Sequence, residues 1–208
     1  MFDDLVAALS RGNREKSLSE VNRLLAQGVD PFAIIEQGLM EGMELVGQRF
    51  ETGEYFLPEL LLAGRVIEAC TAILKPLLPT DGTGEKGSIV LGTVAGDMHD
   101  LGKNIVANTL ASAGYRVVDV GVDVPAERFL EAVREEKASV LCLSALLTVT
   151  MVEMKKVIDA LRGDPELKGV KVIVGGAPVD EEYARKIGAD AYGRDARHAL
   201  LKVRELAV

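Results

Sequence analysis

Residues 88–104 read SIVLGTVAGDMHDLGKN. The first seven, Ser88 to Val94, carry no charge, as in a strand buried on both faces. A polar, glycine-containing loop follows. Then Leu101, Ile105, Leu110 and Ala113 form a helical stripe that Gly114 closes. Strand, loop and helix make one βα unit, and the pattern continues toward the C-terminus. Strands are expected at Tyr115–Val120, Ala138–Leu143, Val170–Val174 and Ala189–Tyr192. Between them lie helices opened by Pro125, striped by Met151, Met154, Ile158 and Leu161, and carrying Tyr183 and Ile187. Asp195 caps a last helix with Ala199, Leu200, Val203 and Leu206 inward. Five βα units in succession predict a parallel sheet with helices on both faces.

Upstream, the periodicity is helical throughout. Phe2, Leu5, Val6 and Leu9 form one stripe, and Leu18, Val21, Leu24 and Leu25 a second. Asp30-Pro31 reads as an N-cap followed by proline at the first helical position. It opens a third stripe of Phe32, Ile35, Leu39, Met43, Val46 and Phe50. Beyond Gly53, a fourth stripe runs through Leu57, Leu60, Leu61, Gly64, Ile67, Thr71, Leu74 and Leu78. Four amphipathic helices with short connections predict an antiparallel bundle. Residues 80–87, TDGTGEKG, lack any apolar side chain and read as a linker. The expected organisation is a helical bundle over 1–79, a linker over 80–87, and an α/β domain over 88–208. The α/β domain has the length of a flavodoxin-like (Rossmann-type), doubly wound fold. No short-period internal repeat is evident.

Composition narrows the function. The 208 residues hold 24 Lys and Arg against 32 Asp and Glu, a formal charge of −8. Nucleic acid and anionic membrane surfaces need a basic face, so neither is an expected partner. Trp is absent, which argues against a base-stacking surface. The longest uncharged stretch, Ala138 to Val152, is too short to span a bilayer, and the acidic start at Asp3 and Asp4 is unlike a signal peptide. A soluble, cytoplasmic protein is expected. Cys70 and Cys142 are the two cysteines, both inside apolar runs, so they read as small buried hydrophobes.

Ligands of a doubly wound sheet bind beyond the carboxyl ends of its strands. Three loops should converge there: Gly96 to Asn104, Ser144 to Thr148, and Gly175 to Pro178. His99 is one of two histidines; His198 sits on the expected solvated face of the last helix. Taken alone, a histidine such as His99 is more often structural than a ligand. Asp97, two residues earlier, is placed to accept a hydrogen bond from one ring nitrogen, which leaves the other free and a better metal donor. Ser144 could in turn donate to Asp97. That arrangement has one protein ligand, whereas zinc needs three or four. A single histidine suits a metal already held by a macrocycle. Gly102 and the Gly175-Gly176 pair allow close approach by a bulky or phosphate-bearing ligand.

Asp97-x-His99-x-x-Gly102, then Ser144-x-Leu146, then Gly175-Gly176, resembles the cobalamin-binding signature. The bundle, with Phe56-Leu57-Pro58-Glu59 opening its last helix, resembles the methylcobalamin cap domain of methionine synthase. Across nearly the whole chain the sequence is similar to the corrinoid proteins of methanol, methylamine and methoxy-aromatic methyltransferase systems. The resemblance implies cobalamin or a related corrinoid bound base-off, with His99 as axial cobalt ligand in a relay with Asp97 and Ser144. Gly102, Gly175 and Gly176 would line the nucleotide-tail channel. Leu146 and Thr148 would approach the corrin or its tail, and Phe56 and Leu57 the cap face. It implies a carrier rather than a catalyst, which shuttles a methyl group through Co(I) and methyl-Co(III). The expected partners are a substrate-specific methyltransferase, a second methyltransferase acting on tetrahydrofolate or a thiol, and a reductive activation protein. A cobalamin-dependent sensor or regulator is the alternative. The mutase subunits that share the signature lack this bundle, and a phosphorelay receiver would carry an aspartate where Ser144 stands.

Overall fold

The computed structural model describes residues 1–78 and 86–206. Its sheet has five parallel strands: β1 (Ser88–Thr93), β2 (Arg116–Asp119), β3 (Val140–Ser144), β4 (Lys171–Gly175) and β5 (Ala191–Tyr192), in the order β2-β1-β3-β4-β5. The helices that follow the five strands in turn are α6 (Leu101–Ser112), α7 (Ala126–Glu135), α8 (Val152–Gly163), α9 (Glu181–Ile187) and α10 (Ala196–Leu206). The expected α/β architecture is present; four strands are a residue or more shorter than expected, and β4 keeps its length but starts one residue later.

Period-two alternation sends side chains to two cores. Val90, Leu141, Leu143, Val172 and Val174 pack with Phe129 of α7 and Met154, Ile158 and Leu161 of α8. Ile89, Leu91, Val140, Cys142 and Ile173 pack on the opposite face with Leu110 of α6 and Val203 of α10. At Gly92 a Cβ would stand 2.6 Å from the Phe129 ring, so the missing side chain makes room for that aromatic anchor. The connections leave β1 in one direction and β3 in the other, which opens a crevice at their carboxyl ends. The register places Thr93, Ser144 and Gly175 in one row across that end.

By its contacts the chain divides into two units, Met1–Leu78 and Pro79–Val208. Residues 80–85 of the expected linker lie outside the described residues. Lys86 and Gly87 already belong to the sheet unit: the Lys86 amide donates to the Gly114 carbonyl at 3.3 Å, and the Arg116 amide to the Gly87 carbonyl at 2.9 Å.

The first unit is helical: α1 (Asp3–Ser10), α2 (Arg14–Ala26), a run from α3 (Pro31–Ile34) through a π-helical turn (Ile35–Met40) into α4 (Glu41–Glu51), and α5 (Leu57–Leu74). Asp30 caps α3 as expected, accepting the Phe32 amide at 3.1 Å. Gly38 and Gly42 let α1 come close, since a Cβ there would meet Leu5 at 2.5 Å and Leu9 at 3.1 Å. The third stripe ends differently from its expectation: Phe50 is 43% exposed.

The larger correction is on α5. Its buried face is Ala63, Val66, Cys70 and Leu74. The expected core stripe is largely a second apolar face, with Leu57 58% and Leu61 59% exposed. A helix apolar on two faces offers two stripes of similar spacing, and periodicity alone cannot choose between them.

Candidate functional site

Asp97 lies just past β1 and is fully buried. Its Oδ1 accepts the His99 amide at 3.1 Å and lies 2.7 Å from the His99 Nδ1. Its Oδ2 faces the β3–α8 loop and accepts the Leu146 amide at 2.8 Å, the Leu147 amide at 3.2 Å and the Thr150 hydroxyl at 2.6 Å. Burial pushes the carboxyl up, but the hydrogen bonds from Thr150, Leu146 and His99 outweigh it and hold Asp97 well below the usual carboxylate range. An ionised carboxylate only accepts, so the proton of the pair sits on the His99 Nδ1. The Nε2 of a neutral ring then carries its lone pair outward.

His99 is fixed from its other side too, because its carbonyl accepts the Thr93 hydroxyl at 2.9 Å. Its side chain is half exposed. Among the described residues no group of three or more His, Cys, Asp or Glu could hold a metal ion. Burial pushes Cys142 up to about 12, and Cys70 up to about 11 with a small opposing effect of Arg14, so neither thiol is a ready thiolate. The donor set is one imidazole backed by a carboxylate. That fits a metal whose other positions are filled by a macrocycle.

Ser144 closes β3, and its carbonyl accepts the Val94 amide at 3.0 Å. The hydroxyl on Asp97 is that of Thr150, not of Ser144 as expected, because Oδ2 points past the strand end into the following loop. Sequence reasoning missed Thr150; the only signal for it is a small hydroxyl residue just ahead of α8. Leu146 and Thr148 lie on the exposed part of the same loop.

The three glycines differ in kind. A Cβ on Gly176 would stand 1.8 Å from the Ala145 carbonyl oxygen, at a φ of +130°. On Gly175 it would stand 2.7 Å from the Gly193 carbonyl oxygen. Both are demanded by the crossing of the protein's own loops. Gly102, in the first turn of α6, has nothing within 4 Å of its Cβ position, so open space lies beside it.

Phe56 and Leu57 are in the helical unit, at the start of α5. Pro58 lies in the first turn, and the Glu59 carboxylate accepts the Phe56 amide at 2.9 Å. Proline and glutamate thus build the helix start, and Phe56 is left 66% exposed. Nearby, Tyr55 is held by its hydroxyl on the Ser10 carbonyl at 2.9 Å and by Arg49.

Residues 87–201 match a family described as "B12 binding domain", and residues 1–75 match a second family of the same description. The dimethylamine corrinoid protein of Methanosarcina barkeri is 42% identical over 207 residues, covering 99% of this chain and 97% of that protein. The solved monomethylamine corrinoid protein of the same organism is 34% identical with a TM-score of 0.88, covering 98% of this chain and 97% of that one. A chain of the methanol:cobalamin methyltransferase complex MtaBC, also from Methanosarcina barkeri, is 31% identical with a TM-score of 0.54, covering 98% of this chain and 78% of that one. No helix among the described residues is long and apolar enough to cross a membrane. A family match over more than half the chain, and near-complete alignment with relatives, establish that the chain belongs to the B12-binding corrinoid proteins of methyltransferase systems.

Proposed function

We propose that this chain carries methyl groups on a corrinoid, cobalamin or a close relative, bound base-off with the His99 Nε2 as axial cobalt ligand. The observation that carries the reading is the His99–Asp97 pair: a buried, ionised carboxylate 2.7 Å from Nδ1, with the opposite nitrogen of a half-exposed ring left for a metal. When bound, the corrinoid supplies a cobalt centre that accepts a methyl group and releases it to an acceptor. The chain's own residues position and shield. Asp97 fixes the tautomer and strengthens the donor nitrogen. Gly102 leaves room beside the α6 N-terminus for the nucleotide tail, and Gly175 and Gly176 keep the adjoining loops close to the sheet. Leu146 and Thr148 offer the exposed edge of the β3–α8 loop, and Ser144 the strand end beneath it. Phe56 and Leu57 are the helical unit's apolar contribution to the cofactor.

The partners in this reading are a substrate-specific methyltransferase, a second methyltransferase acting on tetrahydrofolate or a thiol, and a reductive activation protein. Similarity to a chain of a methanol:cobalamin methyltransferase complex supports the first. Likeness to dimethylamine and monomethylamine corrinoid proteins favours a methylated amine as the donor's class.

The test is to load the purified protein with hydroxocobalamin, remove free cofactor, reduce to Co(II) and record electron paramagnetic resonance spectra. Wild type is expected to show one axial nitrogen that disappears in His99→Ala. A folded protein that retains no corrinoid would sink the carrier reading.

A further inference from the structure

The loop that carries His99 is fastened at both ends to one short segment, residues 119–123, which starts at the last residue of β2. Before His99, the Asp123 carboxylate accepts the Gly96 amide at 2.6 Å, and the Asp123 amide donates to the Asp97 carbonyl at 2.9 Å. After His99, Lys103 in the first turn of α6 pairs through Nζ with the Asp119 carboxylate. The other oxygen of Asp119 accepts the Gly121 amide at 2.9 Å, which fixes the bend of the same segment. Lys103 also donates to the Asn104 side chain at 2.8 Å, and Asn104 to Asp100 at 2.9 Å. We propose that Asp119 and Asp123 are positioning residues for the axial histidine: they clamp its loop from both sides, so that the ring is presented in one place before cofactor arrives.

Three observations carry this beyond ordinary turn chemistry. First, Asp123 adopts a φ of +53°, one of two non-glycine residues at positive φ among those described. That conformation costs free energy for a residue with a side chain, and here it puts both polar groups of Asp123 on the His99 loop. Second, the Lys103 side chain is 2% exposed. Its partner Asp119 is 36% exposed, so the charge at stake is the buried ammonium: an arrangement that moved Asp119 away would leave that charge unpaired, which discriminates against it. Third, Asp97 holds the ring of His99 by its carboxylate and the segment 119–123 by its backbone. The Asp97 carboxylate fixes how the ring is turned. The segment 119–123 fixes where the loop stands, and a loop held at one end only would open readily.

The inference rests on His99 as the corrinoid's axial ligand, so two measurements are needed. Without cofactor, amide hydrogen exchange is read at His99, whose amide Asp123 does not touch. Asp123→Gly keeps the backbone conformation and removes the carboxylate; Asp123→Asn keeps an acceptor and tolerates the same φ. Exchange at His99 is expected to quicken about tenfold or more in Asp123→Gly and to stay near wild type in Asp123→Asn, with melting temperatures recorded alongside. In the cobalamin-loaded Co(II) state, Asp123→Gly is expected to show a mixture of nitrogen-ligated and unligated cobalt, and Asp123→Asn the wild-type signal. The double variant Lys103→Met/Asp119→Asn removes the ion pair without stranding a charge and should give the same mixture; it decides the matter if Asp123→Gly does not fold. Wild-type exchange at His99 and full ligation in Asp123→Gly would overturn the clamp and leave Asp123 a turn residue. If wild type itself shows no His99 nitrogen, the axial-ligand reading fails, and unquickened exchange in the cofactor-free variants would then overturn the clamp separately.

Discussion

Five hydrogen bonds end on the two carboxylate oxygens of Asp97, three of them from backbone amides, and none requires a positively charged donor. Such bonding favours the ionised form even where burial opposes it, and this fixes the sign of a pH effect. The carboxyl of Asp97 is held low in the folded chain and ordinary, near 3.9, in the unfolded one. Its stabilisation is therefore complete above about pH 4 and is lost as pH falls toward the folded value. Asp97→Asn should destabilise the cofactor-free protein by about 1–3 kcal/mol at pH 7, and the gap should narrow between about pH 4 and pH 2. Urea unfolding of both proteins across that range measures it, and a gap that does not change with pH would contradict the assignment. The cysteines give a simpler expectation. With thiols pushed up to about 11 and about 12 and both side chains buried, neither Cys70 nor Cys142 should be alkylated by iodoacetamide until the chain unfolds. Rapid modification of the native protein, read by mass spectrometry, would argue against that burial.

Strands and glycines show what the sequence made legible and what it did not. The βα pattern was readable because buried parallel strands are continuous apolar runs and each helix carries one stripe. The Asp97–His99 pair was readable because two residues of spacing place a carboxylate beside a ring. Thr150 was not, since its bond to Asp97 spans 53 residues and depends on how the β3–α8 loop folds. The buried face of α5 is not legible for the opposite reason, an excess of apolar residues. The glycines looked alike in the sequence and separate in the structure, which makes a paired prediction. Gly176→Ala sets a Cβ against a backbone oxygen that cannot yield, and should destabilise the fold by about 3 kcal/mol or more. Gly102→Ala enters open space in a helical turn, and should leave stability within about 1 kcal/mol of wild type or raise it. Under the proposed reading, in which the nucleotide tail passes beside Gly102, the same change should weaken corrinoid retention. Thermal melts and cofactor retention after gel filtration separate the two effects. Equal loss of stability in both variants would mean that the distinction is wrong.

At the scale of the whole molecule, each unit has a core of its own. Leu5, Leu9, Leu24, Leu39, Val66 and Leu74 are buried in the helical unit; Val90, Phe129, Leu141 and Met154 are buried in the sheet unit. The helical unit nevertheless keeps an apolar surface that its own fold does not need, including Phe56 at 66%, Leu61 at 59% and Leu57 at 58% exposure. Truncating a side chain that buries little removes little transfer free energy, so Phe56→Ala/Leu57→Ala should change the stability of the cofactor-free protein by no more than about 1 kcal/mol. If these side chains contact the corrinoid, the loaded protein will respond where the cofactor-free protein does not. The methylated cofactor is expected to lose its methyl group several-fold faster under illumination in the variant than in wild type, while the His99 nitrogen signal in the Co(II) state stays intact. That pairing assigns the loss to shielding, because weakened axial ligation would move both readings. An unchanged photolysis rate beside an unchanged melting temperature would leave the α5 surface with no part in holding the cofactor.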